Sequence, residues 1–290
     1  MFQLAPMAAV GIFLISTMLA IGMTVSWEEI SSTLRDRRAL PRVLMANFIL
    51  VPLLGIILVH IFRFPPGTTT GILLLAISPG GLTAIQFTDK VKGSLAFAAV
   101  VAFVLTIASI AASPIIAHIL IPQESPVRVP YFGVIGGVLL FLLLPVLLGF
   151  LVRRLFQTAA GKIGRILLVL SNVSFVASIV LTAAFKKHAM KEVGPSVIAA
   201  LLILIVGSMV IGWLLGGPDQ GSRRVMAVST SMRNAALCLL VAMRNLPGTN
   251  ADVLVVAFMG LMIPPNMLFT LYHTVREKSK AAKRKTAGSA

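Results

Sequence analysis

Val225–Ala242 reads VMAVSTSMRNAALCLLVA, a run as apolar as a membrane span except that its ninth residue, Arg233, sets a permanent positive charge at its centre. Whether this stretch crosses a bilayer decides how the rest of the chain is arranged. A guanidinium does not shed its proton to escape a low dielectric, and at a bilayer centre it costs about 2.5–3.5 kcal/mol on insertion scales. Such a residue needs a cavity or a set of acceptors.

The composition makes a bilayer the fitting solvent. Of 290 residues, 58% are hydrophobic and 12% charged, a balance foreign to water-soluble domains. Stretches free of Asp, Glu, Lys and Arg cover 1–27, 43–62, 64–88, 93–123, 129–152, 166–185, 193–218 and 253–275. At about 20 residues per crossing these give eight spans, and 225–243 makes a ninth once Arg233 is accepted. The basic residues favour nine. Eighteen of them, six in the tail after Val275, fall on one side of a nine-span chain, and Arg63, Arg128, Lys186, Lys187, Lys191 and Arg244 on the other. Lysine and arginine gather in cytoplasmic loops, so the expectation is a multi-pass protein of the cell membrane, N-terminus outside and C-terminus in the cytoplasm.

The same bias accounts for a net charge of +16 without nucleic acid as a partner. The tail REKSKAAKRKTAGSA follows a span directly, where each basic residue gains about 1 kcal/mol from anionic head groups; membrane lipid is the expected contact. The first span has no basic segment before it and is longer than a secretory signal core, so it reads as a retained helix. Cys238 is the single cysteine and reads as a small packing residue. Between the spans lie only short polar gaps, so one transmembrane domain, 1–275, is expected ahead of a basic cytoplasmic tail, 276–290.

Several spans carry helix breakers: Ser78-Pro79-Gly80-Gly81 in the third, Ser113-Pro114 in the fourth, Pro264-Pro265-Asn266 in the last. Pro79 and Pro114 are 35 residues apart, and Met232 and Pro264 are 32 apart. Each half thus has an interrupted span followed by one with proline, and the third and eighth spans run in opposite directions. Paired interruptions in inverted repeats point to a transporter's midplane site, since irregular backbone survives at that depth only against protein or a water-filled cavity.

The inventory of chemistry-bearing groups excludes other classes. All nine acidic residues lie in loops or at span ends, so no intramembrane carboxylate is on hand to bind a cation or relay a proton. No paired aspartates, metal-ligand cluster or nucleophile with its base appears, which argues against an enzyme and against a cofactor. A channel or receptor is the alternative class, without a filter repeat or a ligand domain to support it.

GMTVSWEEI (22–30), NFILVP (47–52), SPGGLTAIQFTDKVKG (78–93) and STSMRNAAL (229–237) resemble the bile acid:sodium symporter family, and the likeness extends over nearly the whole chain. It implies an all-α fold with inverted repeats and two broken, crossing helices. A core, about 43–123 and 193–275, would face a panel, about 2–27 and 129–185, with substrate bound between them. Members of the family typically have ten spans, so this chain looks like one without the first.

The resemblance also implies where sodium would bind, and there the chain departs from the pattern. Ala84, Ile85, Ala98 and Ala102 stand where hydroxyl or amide groups are expected, and Ser229 stands where a shared carboxylate is expected. Around the second cation site Asn47, Thr230 and Met232 remain plausible, but Arg233 replaces a neutral amide, and a guanidinium has no acceptor to offer a cation. Arg233 is then either a fixed internal cation pinning the crossed helices or a partner for an anionic substrate. Pro79, Gly80, Gly81, Thr83, Gln86 and Asn234 are the further candidates for the substrate site, with helix-to-helix packing as the competing role for each.

The expected function is a secondary-active or facilitative carrier of a small or amphipathic organic anion, working by alternating access without sodium. The alternative within the class is a sodium-coupled organic-anion symporter with one altered ion site. Substrate identity, and monomer against homodimer, stay open.

Overall fold

The computed structural model describes residues 4–24, 26–28, 31, 37–80, 95–120, 131–191, 193–246 and 249–287. The described residues form helices and connecting turns. These are α1 (Leu4–Thr24), α2 (Ala39–Phe62), α3 (Pro66–Ile77), α4 (Leu95–Leu120) and α5, which runs from Tyr131 to Leu155. There follow α6 (Gln157–Phe185), the short α7 (Lys187–Lys191), α8 (Pro195–Leu215), α9 (Gln220–Ser231), α10 (Ala235–Asn245), α11 (Ala251–Leu261) and α12 (Ile263–Ala287). Seven helical stretches are long and apolar enough to cross a membrane, or eight if the bent α4 is one span. The expected nine is not reached, because the third span shows only the 12-residue α3 and its continuation, 81–88, lies outside the described residues.

The stretch that opened the question is a span. Gln220–Arg244, Arg233 included, is one of the seven, and its most apolar window is buried throughout. It is interrupted at Met232–Asn234, between α9 and α10. Asp219 caps the start of α9 by accepting from the Ser222 N–H at 2.9 Å, and Asn234 caps α10 by accepting from the Leu237 N–H at 3.2 Å. Each cap occupies a donor that a helix start leaves open.

Prolines shape the other spans by the donors they lack. In α2 a π segment, Ala46–Leu50, ends where the Val51 N–H reaches back to the Ala46 carbonyl. In that register the Asn47 carbonyl would pair with residue 52, which is proline, so it is left open. The same device recurs in α5, where Leu144 bonds to Leu139 and Pro145 follows. α3 stops at Ser78, held extended (φ −84°, ψ 109°) by the proline after it. α4 bends by 50° between 97–109 and 111–117, at the carbonyl that Pro114 cannot serve. The last span is interrupted at Met262, between α11 and α12, next to the expected breaker. The two helices still make up one span, Ala251–Arg276, with Pro264 and Pro265 in the first turn of α12, where a missing N–H breaks no helical bond.

α1 packs most extensively on α6 and α5, while α8 lies along α9, and α11 along α10 and α3. Glycines set the closest approaches: a Cβ on Gly22 would strike the Val146 carbonyl of α5, and one on Gly212 the Met226 carbonyl of α9. Val169, Val173, Val176 and Val180 form an exposed apolar stripe on α6, a surface suited to lipid. The two interruptions meet at Gly80, where a Cβ would overlap the Ser229 carbonyl and crowd that of Met232. Gly80→Ala is therefore expected to cost about 1–3 kcal/mol through overpacking, while Gly136→Ala, with open space at that position, should be near neutral. Melting of both variants in detergent checks this, and equal melting temperatures would refute the close approach.

Candidate functional site

The end of α3 raises a problem that water would otherwise solve: the last four carbonyls of a helix have no partner in the next turn. Here the partners are supplied by other parts of the chain. The Leu74 carbonyl accepts from the Ser78 N–H at 3.1 Å and from the Cys238 thiol at 3.4 Å. The Leu75 carbonyl accepts from Arg233 Nε at 3.1 Å and the Ala76 carbonyl from Arg233 Nη2 at 2.6 Å. The Ile77 carbonyl accepts from the Ser113 hydroxyl at 3.3 Å. A positive charge on the carbonyl end of a helix also matches its dipole.

Arg233 is 1% exposed. Its Nη1 donates to Asn47 Oδ1 at 2.8 Å and its Nη2 to the Asn47 carbonyl at 3.3 Å, the carbonyl that Pro52 leaves open. Asn47 is buried and held by its own turn, donating from Nδ2 to the Val43 carbonyl at 3.1 Å. Its Oδ1 also accepts the Gly80 N–H at 3.2 Å. One guanidinium and one amide thus join α2, the end of α3 and the α9–α10 break, with every contact to the guanidinium made by a neutral oxygen.

The remaining candidates divide in two. Pro79 and Gly80 are at the break, buried against α9. Gly81, Thr83 and Gln86 lie outside the described residues, as do Ala84 and Ile85. Asn234 is buried and its Oδ1 is committed to capping α10. Ser229 and Thr230 are fully buried, and their hydroxyls have no hydrogen-bond partner; the Ser229 and Met232 carbonyls face Gly80. Ala98 and Ala102 are buried in α4, without side-chain oxygen. Among the described residues no three His, Cys, Asp or Glu side chains gather as a metal site.

Three contributors were not singled out from the sequence as site residues. Ser78 and Cys238 hydrogen-bond each other at 2.9 Å, so the cysteine is a donor at the break as well as a packing residue. Ser113 serves a carbonyl 36 residues away. The signal was available in part, since a helix stopped by Ser-Pro in a membrane must find donors somewhere.

Multiple apolar spans around a polar, interrupted centre define a multi-pass membrane protein of the transporter kind. Residues 11–206 match the model of the sodium bile acid symporter family, and the chain belongs to that family. It is 23% identical over 291 residues to the uncharacterized sodium-dependent transporter YocS of Bacillus subtilis, covering 96% of this chain and 85% of that one. It is 25% identical over 276 residues to the human hepatic sodium/bile acid cotransporter, covering 89% and 72% respectively. To the probable sodium/metabolite cotransporter BASS1 of Arabidopsis thaliana chloroplasts it is 23% identical over 238 residues, which are 79% of this chain and 57% of the relative's length.

Removing a shared acceptor should cost more than removing a single donor. Asn47→Leu strips Arg233 Nη1 and the Gly80 N–H of their shared acceptor together, and two orphaned buried donors at about 1–3 kcal/mol each cost about 2–6 kcal/mol. Ser113→Ala orphans one carbonyl, at about 1–3 kcal/mol. Thermal unfolding in detergent should rank the two in that order, and the reverse order would show that Asn47 does not organise the site.

Proposed function

We propose that this chain carries a small or amphipathic organic anion by alternating access between a core, about 43–123 and 193–275, and a panel, about 2–27 and 129–185, and that it does so without sodium. The observation that supports this reading is that four of the five N–H donors of Arg233 are taken by backbone and amide oxygens at the meeting of the two interruptions. It stands as a fixed cation there, and a free cation brought close would be repelled. Arg233 on this reading organises the site and does not touch substrate. On this reading substrate is recognised by Asn234, Thr83 and Gln86 and by the Pro79-Gly80-Gly81 backbone.

Nine spans, an outside N-terminus and a cytoplasmic C-terminus with its basic tail on anionic lipid belong to the same reading, supported by the distribution of Lys and Arg. A channel is the reading of another class; counterflow of labelled solute in proteoliposomes separates the two, since a channel gives none.

A second reading has its own support: Ser229 and Thr230 keep unpartnered buried hydroxyls, and all three relatives above carry sodium-dependent or sodium cotransport in their names. On it, one altered cation site persists around Asn47, Ser229 and the carbonyls of Thr230 and Met232. Titration of substrate in sodium and in potassium decides between them. The affinities are expected to agree within threefold. A tenfold tightening by sodium, about 1.4 kcal/mol of coupling, would establish the second reading instead.

The same reading predicts how the cation can be exchanged. Arg233→Gln is expected to melt lower than the parent in either salt, because the carbonyls of Leu75 and Ala76 lose their charged donor. Ser229→Glu with Arg233→Gln should regain stability in sodium and not in potassium. Arg233→Lys should be intermediate, keeping the charge without the planar fork of donors. A single Arg233→Gln variant that melts and transports like the parent would remove the guanidinium from any structural role.

A further inference from the structure

At the end of the molecule away from Arg42, Arg153 and Arg223, α6 and α11 are joined by an ion pair: Lys186 Nζ lies 3.0 Å from Asp252 Oδ2, with the two side chains 27% and 8% exposed. Each partner is placed by its own helix. Lys186 is the residue at which α6 ends, and Asp252 lies in the first turn of α11, so the ammonium meets a carbonyl pole and the carboxylate an amide pole. The other oxygen, Oδ1, accepts from the Val253 N–H at 2.9 Å, which fixes the carboxylate and aims Oδ2 across the gap. Just before α11, Asn250 turns the chain in the left-handed region, at φ 57°.

The pair lies where α6, packed on α1 and α5, also meets α11. α6 lies against α1 and α5, whereas α11 lies against α3 and α10 and so belongs with the Arg233 assembly. Any opening between these groups at this end must part Lys186 from Asp252 and leave a nearly buried carboxylate without its counter-ion. Glycine makes the adjoining contact close as well: a Cβ on Gly67, at the start of α3, would strike the Thr249 carbonyl, and one on Gly71 would crowd Leu254. The α3 side of α11 is thereby fixed by close backbone approach, and the α6 side is held by helix packing together with the charge pair.

We propose that Lys186 and Asp252 form a latch that closes this end of the crevice between the two helix groups, and that the structure is the latched state. The inference rests on the alternating-access reading, and its test does not need a substrate. Val256 is buried one turn after Asp252 on the same face of α11; Val256→Cys in a Cys238→Ala background reports opening through its rate of reaction with a polar maleimide in detergent micelles. When opening is a rapid pre-equilibrium, that rate follows the open population. Asp252→Asn and Lys186→Gln are each expected to speed labelling at least tenfold, while Asp252→Glu and Lys186→Arg stay within threefold of the parent. Only variants that keep the parent's elution volume and melting transition are compared. Parent-like labelling in Asp252→Asn, or equal acceleration in Asp252→Asn and Asp252→Glu, overturns the latch. A parent that shows no counterflow but gives the expected labelling pattern counts against the transport reading and supports the latch.

Discussion

The structure depends on one constraint: a helix that stops inside the membrane must have its last carbonyls satisfied by protein. α3 stops there because Pro79 forbids continuation, and the three carbonyls it leaves open draw donors from α4 and from the α9–α10 break, while Leu74, already bonded to the Ser78 N–H, accepts also from Cys238 of α10. The arrangement is cooperative. Arg233 is pulled to the α3 terminus, but it reaches there only because α9 ends at Ser231 and the chain turns through Met232. The Asn47 carbonyl is available only because a π segment runs into Pro52. Three proline or break positions far apart in sequence create the oxygens that one guanidinium collects.

Charge is distributed to match. The guanidinium is ringed by neutral acceptors, among which its positive charge is spread over several hydrogen bonds. Charge-assisted bonds of this kind are stronger than neutral ones, and in a low dielectric they set helix positions tightly, because any displaced donor is left uncompensated. Among the described residues the acids stay outside the centre: Asp219 caps α9, and Asp252 holds Lys186 at the opposite end.

Much of this was legible in the sequence, for identifiable reasons. Apolar runs near the length of a bilayer gave most helices directly, and Arg233 inside such a run announced that acceptors had to be nearby. Ser-Pro-Gly-Gly announced the stop of α3, and the requirement that its carbonyls be served made a meeting of the two breaks a reasonable expectation. The donors were less legible. Ser78, Ser113 and Cys238 are small residues of types found throughout membrane helices, and only the fold reveals which of them reach a carbonyl. Pro264 and Pro265 announced the interruption at Met262, because neither can donate back into α11 and both suit the first turn of a new helix. The short α3 departed from the count because a half-length helix is an apolar run cut by its own terminus, and run length alone is blind to that cut.

The identity of the central cation has a thermodynamic consequence. A centre held by a dissociable ion is stabilised in proportion to ion occupancy, because a ligand that binds one state shifts the equilibrium toward that state by mass action. A covalently attached cation has no such dependence: its local concentration is fixed by the chain, and the carbonyls of Leu75 and Ala76 are served in every ionic medium. If Arg233 takes that place, the core is assembled before any solute arrives, and binding energy is not divided between ordering the break and holding the substrate. The cost is the loss of a thermodynamic link between an ion gradient and the site, since coupling needs an ion whose binding differs between states. A chain built this way trades concentrative power for a preassembled site. Asn47 is compatible with either arrangement, because an amide oxygen can accept from a guanidinium or ligate a metal ion, and here it accepts from Arg233.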